Sequence, residues 1–201
     1  MFAVYNFFLK NCMLKNLFIL LFRLIINPSF EWKILYKKQK IKNKNLYKNY
    51  LFLIICLITL TSFISTWMIK KNLDIQLILK LILKETLTYG GEFYITSFVM
   101  SEHLFPYFGL EKNKSLAKQF TAYASSMLFA VAIFESLFPN FPPLKFFVLY
   151  TIYILWTGAN EFLSIQEDQL IKFAFFASVP IIFTPILIHC LINWLIPGMK
   201  I

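Results

Sequence analysis

A chain of 201 residues that is 59% hydrophobic, holds 24 Phe and has only 15% charged residues lies far from the composition of soluble globular proteins. Its net charge of +10 is uneven: residues 1–49 carry ten basic side chains against the single acid Glu31, and the rest is close to neutral. Such a chain reads as an all-α, polytopic integral membrane protein. Its basic block marks the cytoplasmic side and favours anionic lipid headgroups. The block contains no DNA- or RNA-binding motif, so nucleic acid is excluded as an expected partner.

The first segment, Met1 to Ile26, contains the run LFILLFRLII but is interrupted by Lys10, Lys15 and Arg23 and has no small-x-small cleavage site. It reads as an interfacial helix, with its cations at headgroup level and Phe and Leu in the acyl boundary. Met13 is an alternative start. Pro28 ends this segment, and Pro28-Ser29 followed by Glu31 fits a new helix with an acid in its first turn. The lysines that follow, Lys37, Lys38, Lys40, Lys42, Lys44 and Lys48, form either a solvated cytoplasmic linker or a site for anionic lipid or an acidic partner. Residues 1–49 are thus a cytoplasmic basic arm, and residues 50–201 a transmembrane domain.

Five spans are expected. The first covers 49–69, free of charge, with Trp67 near its outer end and Lys70 and Lys71 closing it. The second, Asp74 to Met100, is apolar yet places Gln76, Lys80, Lys84, Thr88, Glu92 and Thr96 in one i, i+4 row, with Glu85 close to the same side. That row is roughly 30 Å long at the helical rise, about the thickness of the hydrocarbon core. Gly90-Gly91 is expected to break or bend this helix. Spans over 116–138, 144–163 and 173–196 follow. They are separated by a turn at Pro139, Pro142 and Pro143 and a loop through Glu167 and Asp168, and the last is expected to kink at Pro180 or Pro185. The positive-inside rule places the N-terminus in the cytoplasm and the C-terminus outside.

Charge inside a bilayer costs at least ~2.5 kcal/mol per residue unless paired or wetted. Equal depths bring Lys80 or Lys84 toward Glu135 and His189 in a self-neutralising cluster, and Glu92 toward Tyr123, Asn160 or Glu161. Titratable groups at successive depths would suit a proton- or ion-coupled path. The alternative is interhelical pairing without transport, or lysines that snorkel. Catalysis has no support: zinc-protease, nucleophile-elbow, phosphate-loop and Cys-x-x-Cys signatures are all missing from the sequence. Cys12, Cys56 and Cys190 are far apart, offer neither a disulfide framework nor a metal site, and read as small core residues. No cofactor is expected.

The order of features resembles the Yip1-domain family. The matching parts are Asn27-Pro28 with Glu31-Trp32, a basic linker, a first span near residue 50, a polar second span with Gly90-Gly91, and Phe108-Gly109. The segment Leu149-Tyr150 through Tyr153, Trp156 and Gly158, then Ile165, Glu167 and Asp168, is similar to the bacterial branch. The resemblance runs from about Leu17 to near the end of the chain. It implies five helices, a cytoplasmic N-terminus and residence in a bacterial plasma (inner) membrane. Eukaryotic members are associated with vesicle traffic and bind prenylated Rab-type GTPases. This chain lacks their long cytosolic region and their Asp-Leu-Tyr-Gly-Pro motif, so Rab binding is not carried over. The expected function is that of a non-enzymatic membrane organiser or partner-recruiting scaffold, alone or as a homo-oligomer. The alternative is a small channel or transporter subunit using the polar stripe.

Overall fold

The computed structural model describes residues 15–16, 18–40, 46–70, 75–138 and 141–195, all of whose regular elements are helical. Helix α1 covers 18–26 and α2 is Pro28–Lys40. They are followed by α3 (Leu46–Lys70), α4 (Ile75–Val99), α5 (Lys114–Ala124) and α6 (Ser126–Leu137). A 3₁₀ segment, Pro142–Leu149, leads into α7 (Tyr150–Glu161), and α8 (Leu170–Leu195) closes the described chain. Local chemistry sets the breaks. Asn27 caps α2, its Oδ1 accepting from the Phe30 N–H at 3.3 Å, with Pro28 in the first helical position, where a missing N–H costs nothing. Asn113 caps α5 by accepting from the N–H groups of Ser115 and Leu116.

Two helices, Tyr47–Met68 within α3 and Leu170–Leu195, are long and apolar enough to cross a membrane; α5 and α6 make a third if counted as one span bent by 41°. The bundle turns many large apolar side chains outward, among them Phe52, Leu60, Phe98, Phe146, Phe175 and Leu187. An exterior of that kind is compatible with an integral membrane location. Cys56 and Cys190 also face outward, so they are not the core residues expected of them. α4 runs unbroken through Gly90-Gly91, and α8 through Pro180 and Pro185. Gly91 serves close packing instead of a break: a Cβ there would lie 2.9 Å from Ile188 Cδ1 of α8.

The helices alternate in direction. Tyr47 at the start of α3 meets Phe93 late in α4, and Thr96 of α4 donates to the Pro180 carbonyl early in α8. One end of the bundle therefore holds the end of α3, the start of α4, Pro142 and the end of α8. The other holds the start of α3, Asn113 and the loop after Glu161.

The largest departure from expectation is the N-terminal segment. An interfacial helix would lie across one end of the bundle, whereas residues 18–40 run lengthwise beside α7. Phe18 and Phe22 share a wall with Leu144 and Phe147, the Tyr150 hydroxyl donates to the Ile25 carbonyl at 3.0 Å, and Trp32 donates to the Ile154 carbonyl at 3.1 Å. Lys33 then pairs with Glu161 at 3.3 Å, and Tyr36 meets Phe162 edge-on. Each step along the segment is matched by a step along α7. The cause is burial: Leu20, Leu21, Leu24, Trp32 and Leu35 are all enclosed in the same core as the rest of the bundle, a larger gain than one apolar face against headgroups. For the described residues, the basic arm is part of the helical domain.

Candidate functional site

The polar row of α4 sinks into the bundle along its length. Gln76 is exposed, Lys80 and Lys84 are half-buried, and Thr88, Glu92 and Thr96 are enclosed, with Glu92 wholly inaccessible. Glu92 Oε1 accepts from the Ser125 hydroxyl at 3.0 Å, and its Oε2 has no hydrogen-bond partner among the described residues. Ser125 occupies the break between α5 and α6, where its backbone leaves helical geometry (ψ 4°). Next to it, Ser126 Oγ donates to the Tyr123 carbonyl at 2.5 Å, so the Tyr50 hydroxyl, 2.6 Å from the same Oγ, is the donor of that second bond. A carboxyl from α4 and a phenol from α3 thus grip adjacent residues at the bend of the α5–α6 pair. Glu92 does not reach Tyr123, Asn160 or Glu161 by any hydrogen bond: its carboxyl is held by Ser125, and Glu161 is engaged by Lys33.

Toward the Pro142 end lies a cavity of about 540 Å³ between α4, α6, the 3₁₀ segment and α8. Its polar lining comprises Thr88, Tyr89, Glu135, Lys145, His189 and Cys190. Glu135 and His189 therefore share one space, and His189 Nδ1 lies 3.1 Å from Asn193 Nδ2. Lys84 lies within electrostatic reach of His189 and of Glu85, and Glu85 lies beside Ser62 of α3. Lys80 and Lys84 are not drawn onto Glu135: among the described residues no ion pair joins them. Thr88 lines this cavity, and its Oγ1, itself enclosed, has no partner among the described residues.

At the opposite end, the side chains of Lys37, Lys38 and Lys48 are exposed. Lys40 closes α2, but its side chain, and Lys42 and Lys44 altogether, lie outside the described residues, as do Asp74, Cys12 and Met13. Lys112 and Lys114 pair with Glu102 at 3.0 and 3.5 Å, and these bonds hold the Glu102 carboxyl below the usual carboxylate range. Lys118 lies 5.8 Å above the Tyr94 ring.

The residues that fasten this basic end were only partly visible as chemistry. Trp32 stacks on Phe120 and packs against Phe162 and Tyr123, and no part of it is accessible. A lone tryptophan within a lysine-rich stretch was the available signal. Ser125-Ser126 in the middle of an apolar run was the corresponding signal for the bend. Metal chemistry finds no cluster of three or more His, Cys, Asp or Glu among the described residues. Comparison of the chain with protein-family models, with curated proteins and with solved structures finds no match.

Proposed function

We propose that this is a non-enzymatic integral membrane protein that organises membrane or recruits partners through its basic end, a Yip1-like scaffold in a bacterial plasma membrane. The observation that carries the reading is the docking of α2. Trp32 anchors that helix in the core while Lys37 and Lys38 stay exposed at the end that also carries Lys48, Lys112, Lys114 and Lys172. Exposed cations such as Lys37, Lys38 and Lys48, on fixed helices beside apolar, lipid-facing ones, suit anionic headgroups, each cation near the surface contributing about 1 kcal/mol. α3, α4, α5–α6, the 3₁₀ segment with α7, and α8 make the five spans of this reading. The segment 18–40 is a sixth membrane-embedded element beside α7. In this reading the basic end faces the cytoplasm, so α1 begins on the outer side.

The test is mild-detergent purification with bound lipid and protein quantified. The triple substitution Lys37→Ala, Lys38→Ala and Lys48→Ala should release anionic lipid or a stoichiometric partner while thermal unfolding stays unchanged. Retention equal to that of the unsubstituted protein would remove the basis of the proposal.

The second reading, a channel or transporter subunit, is favoured by one feature: the 540 Å³ cavity reaches Thr88, one helical turn from enclosed Glu92. It requires a flux in proteoliposomes that Glu92→Ala abolishes in a protein that still folds.

A further inference from the structure

The cavity near the Pro142 end carries a pattern unlike that of the basic end. Glu135 and Lys145 stand on its wall with opposite charges, yet they do not pair with one another, and among the described residues neither has an ion-pair partner. Two unpaired opposite charges on one concave surface match a ligand that carries both signs. Tyr89, His189 and Cys190 add polar atoms to the lining, and the rest of the wall is apolar, with Leu128 and Val131 from α6 and Ile182 and Ile186 from α8. Its volume falls within the roughly 300–1,000 Å³ of small-molecule sites. Thr88, 4% exposed, also lines the cavity, with its hydroxyl oxygen enclosed.

We propose that this cavity binds a phospholipid with a zwitterionic, primary-amine headgroup, its ammonium on Glu135, its phosphate on Lys145 and an acyl chain against the apolar wall. An anionic headgroup without an amine would set its negative charge against Glu135 and leave that carboxylate unpaired, which low-dielectric surroundings penalise. A quaternary ammonium carries the right charge but has no N–H to donate to the carboxylate. The site therefore distinguishes headgroups by charge pattern and by donor count. It is independent of the anionic-lipid reading of the opposite end, from which it is separated by the length of the bundle.

The test uses the full-length protein, purified in mild detergent and exchanged against phosphatidylethanolamine, phosphatidylcholine and phosphatidylglycerol with identical chains. Retained lipid is counted by native mass spectrometry. Phosphatidylethanolamine should be retained several-fold more than the other two, and Glu135→Gln and Lys145→Ala should each abolish that preference. Equal retention of the three lipids, or an unchanged preference in both variants, overturns the proposal. Lys145 is exposed, so its substitution leaves the fold intact and decides the matter if Glu135→Gln does not fold. Soluble phosphoethanolamine that displaces the lipid at equal concentration would assign the site to a free zwitterion and overturn the lipid as its occupant.

Discussion

The indole of Trp32 fills the space that a side chain on residue 158 would need: a Cβ built on Gly158 comes within 2.7 Å of Trp32 Cε2 and 2.9 Å of a Phe120 ring carbon. α2 and α7 can be this close only because one carries the largest side chain and the other carries none. Gly158→Ala is therefore expected to destabilise by about 1–3 kcal/mol, the usual cost of overpacking. Trp32→Ala should cost about 3–5 kcal/mol through the void it leaves. The double variant should be less destabilised than the sum of the two, because removing the indole makes room for the methyl group. Unfolding of the four proteins in detergent checks this, and strict additivity would show that the two residues do not share the space.

The bend of α5–α6 gives a second expectation. Ser125 donates to Glu92 across 33 residues of sequence, inside a region closed to solvent. Glu92→Ala strips the hydroxyl of its acceptor and should cost about 1–3 kcal/mol. Glu92→Gln retains an oxygen at the same place and should cost about 1 kcal/mol or less. Ser125→Ala should be neutral when added to Glu92→Ala. A Gln variant as damaged as the Ala variant would mean that the carboxyl does more than accept this one bond.

How much of this was legible beforehand follows the physics of each signal. The composition, the uncharged run over 49–69 and the apolar run ending near Leu195 show in a single sequence because burial in lipid demands length and hydropathy alone. The periodic row on α4 was equally plain, and the helix bears it without a break. What the sequence hid were pairings over long separations: Ser125 with Glu92, Tyr50 with Ser126, Tyr150 with Ile25. Each is an ordinary hydroxyl until its partner is known. The packing of residues 18–40 was hidden for a related reason. Lys15 and Arg23 look like the polar face of an interfacial helix and Lys37 and Lys38 like a linker, but Leu20, Leu24 and Trp32 find a ready-made groove beside α7 that no local pattern announces.

A pH response is expected at the turn after α4. Lys112 donates to Glu102 at 3.0 Å and Lys114 stands at 3.5 Å, which lowers the folded-state titration of the carboxyl below its ordinary value of 4.5. A depressed carboxyl contributes stability that is present above its unfolded value and lost as pH falls through its folded value. The wild type should therefore lose a small stability advantage over Glu102→Gln on acidification from neutral pH to about 3. The effect is small because both partners meet solvent and salt screens them. A gap between the two proteins that persists unchanged at the acidic limit, or widens there, would contradict the sign.

The lengthwise placement of residues 18–40 has a consequence that labelling can read directly. If Lys15 precedes an element that crosses beside α7, it belongs to the same side as Lys145, and Lys38 to the same side as Lys112 and Glu167. In a background with Cys12, Cys56 and Cys190 changed to Ser, the single substitutions Lys15→Cys and Lys145→Cys should react with a membrane-impermeant maleimide in intact cells. Lys38→Cys, Lys112→Cys and Glu167→Cys should react only after permeabilisation. Protection of Lys15→Cys together with Lys38→Cys would return the segment to the cytoplasmic interface. That outcome would leave the contact of Tyr150 with Ile25 unexplained, because an interfacial helix at the Glu161 end could not pass the full length of α7. The labelling pattern thus decides between five and six membrane-embedded elements, and with it whether the two ends of α1–α2 meet one leaflet or both.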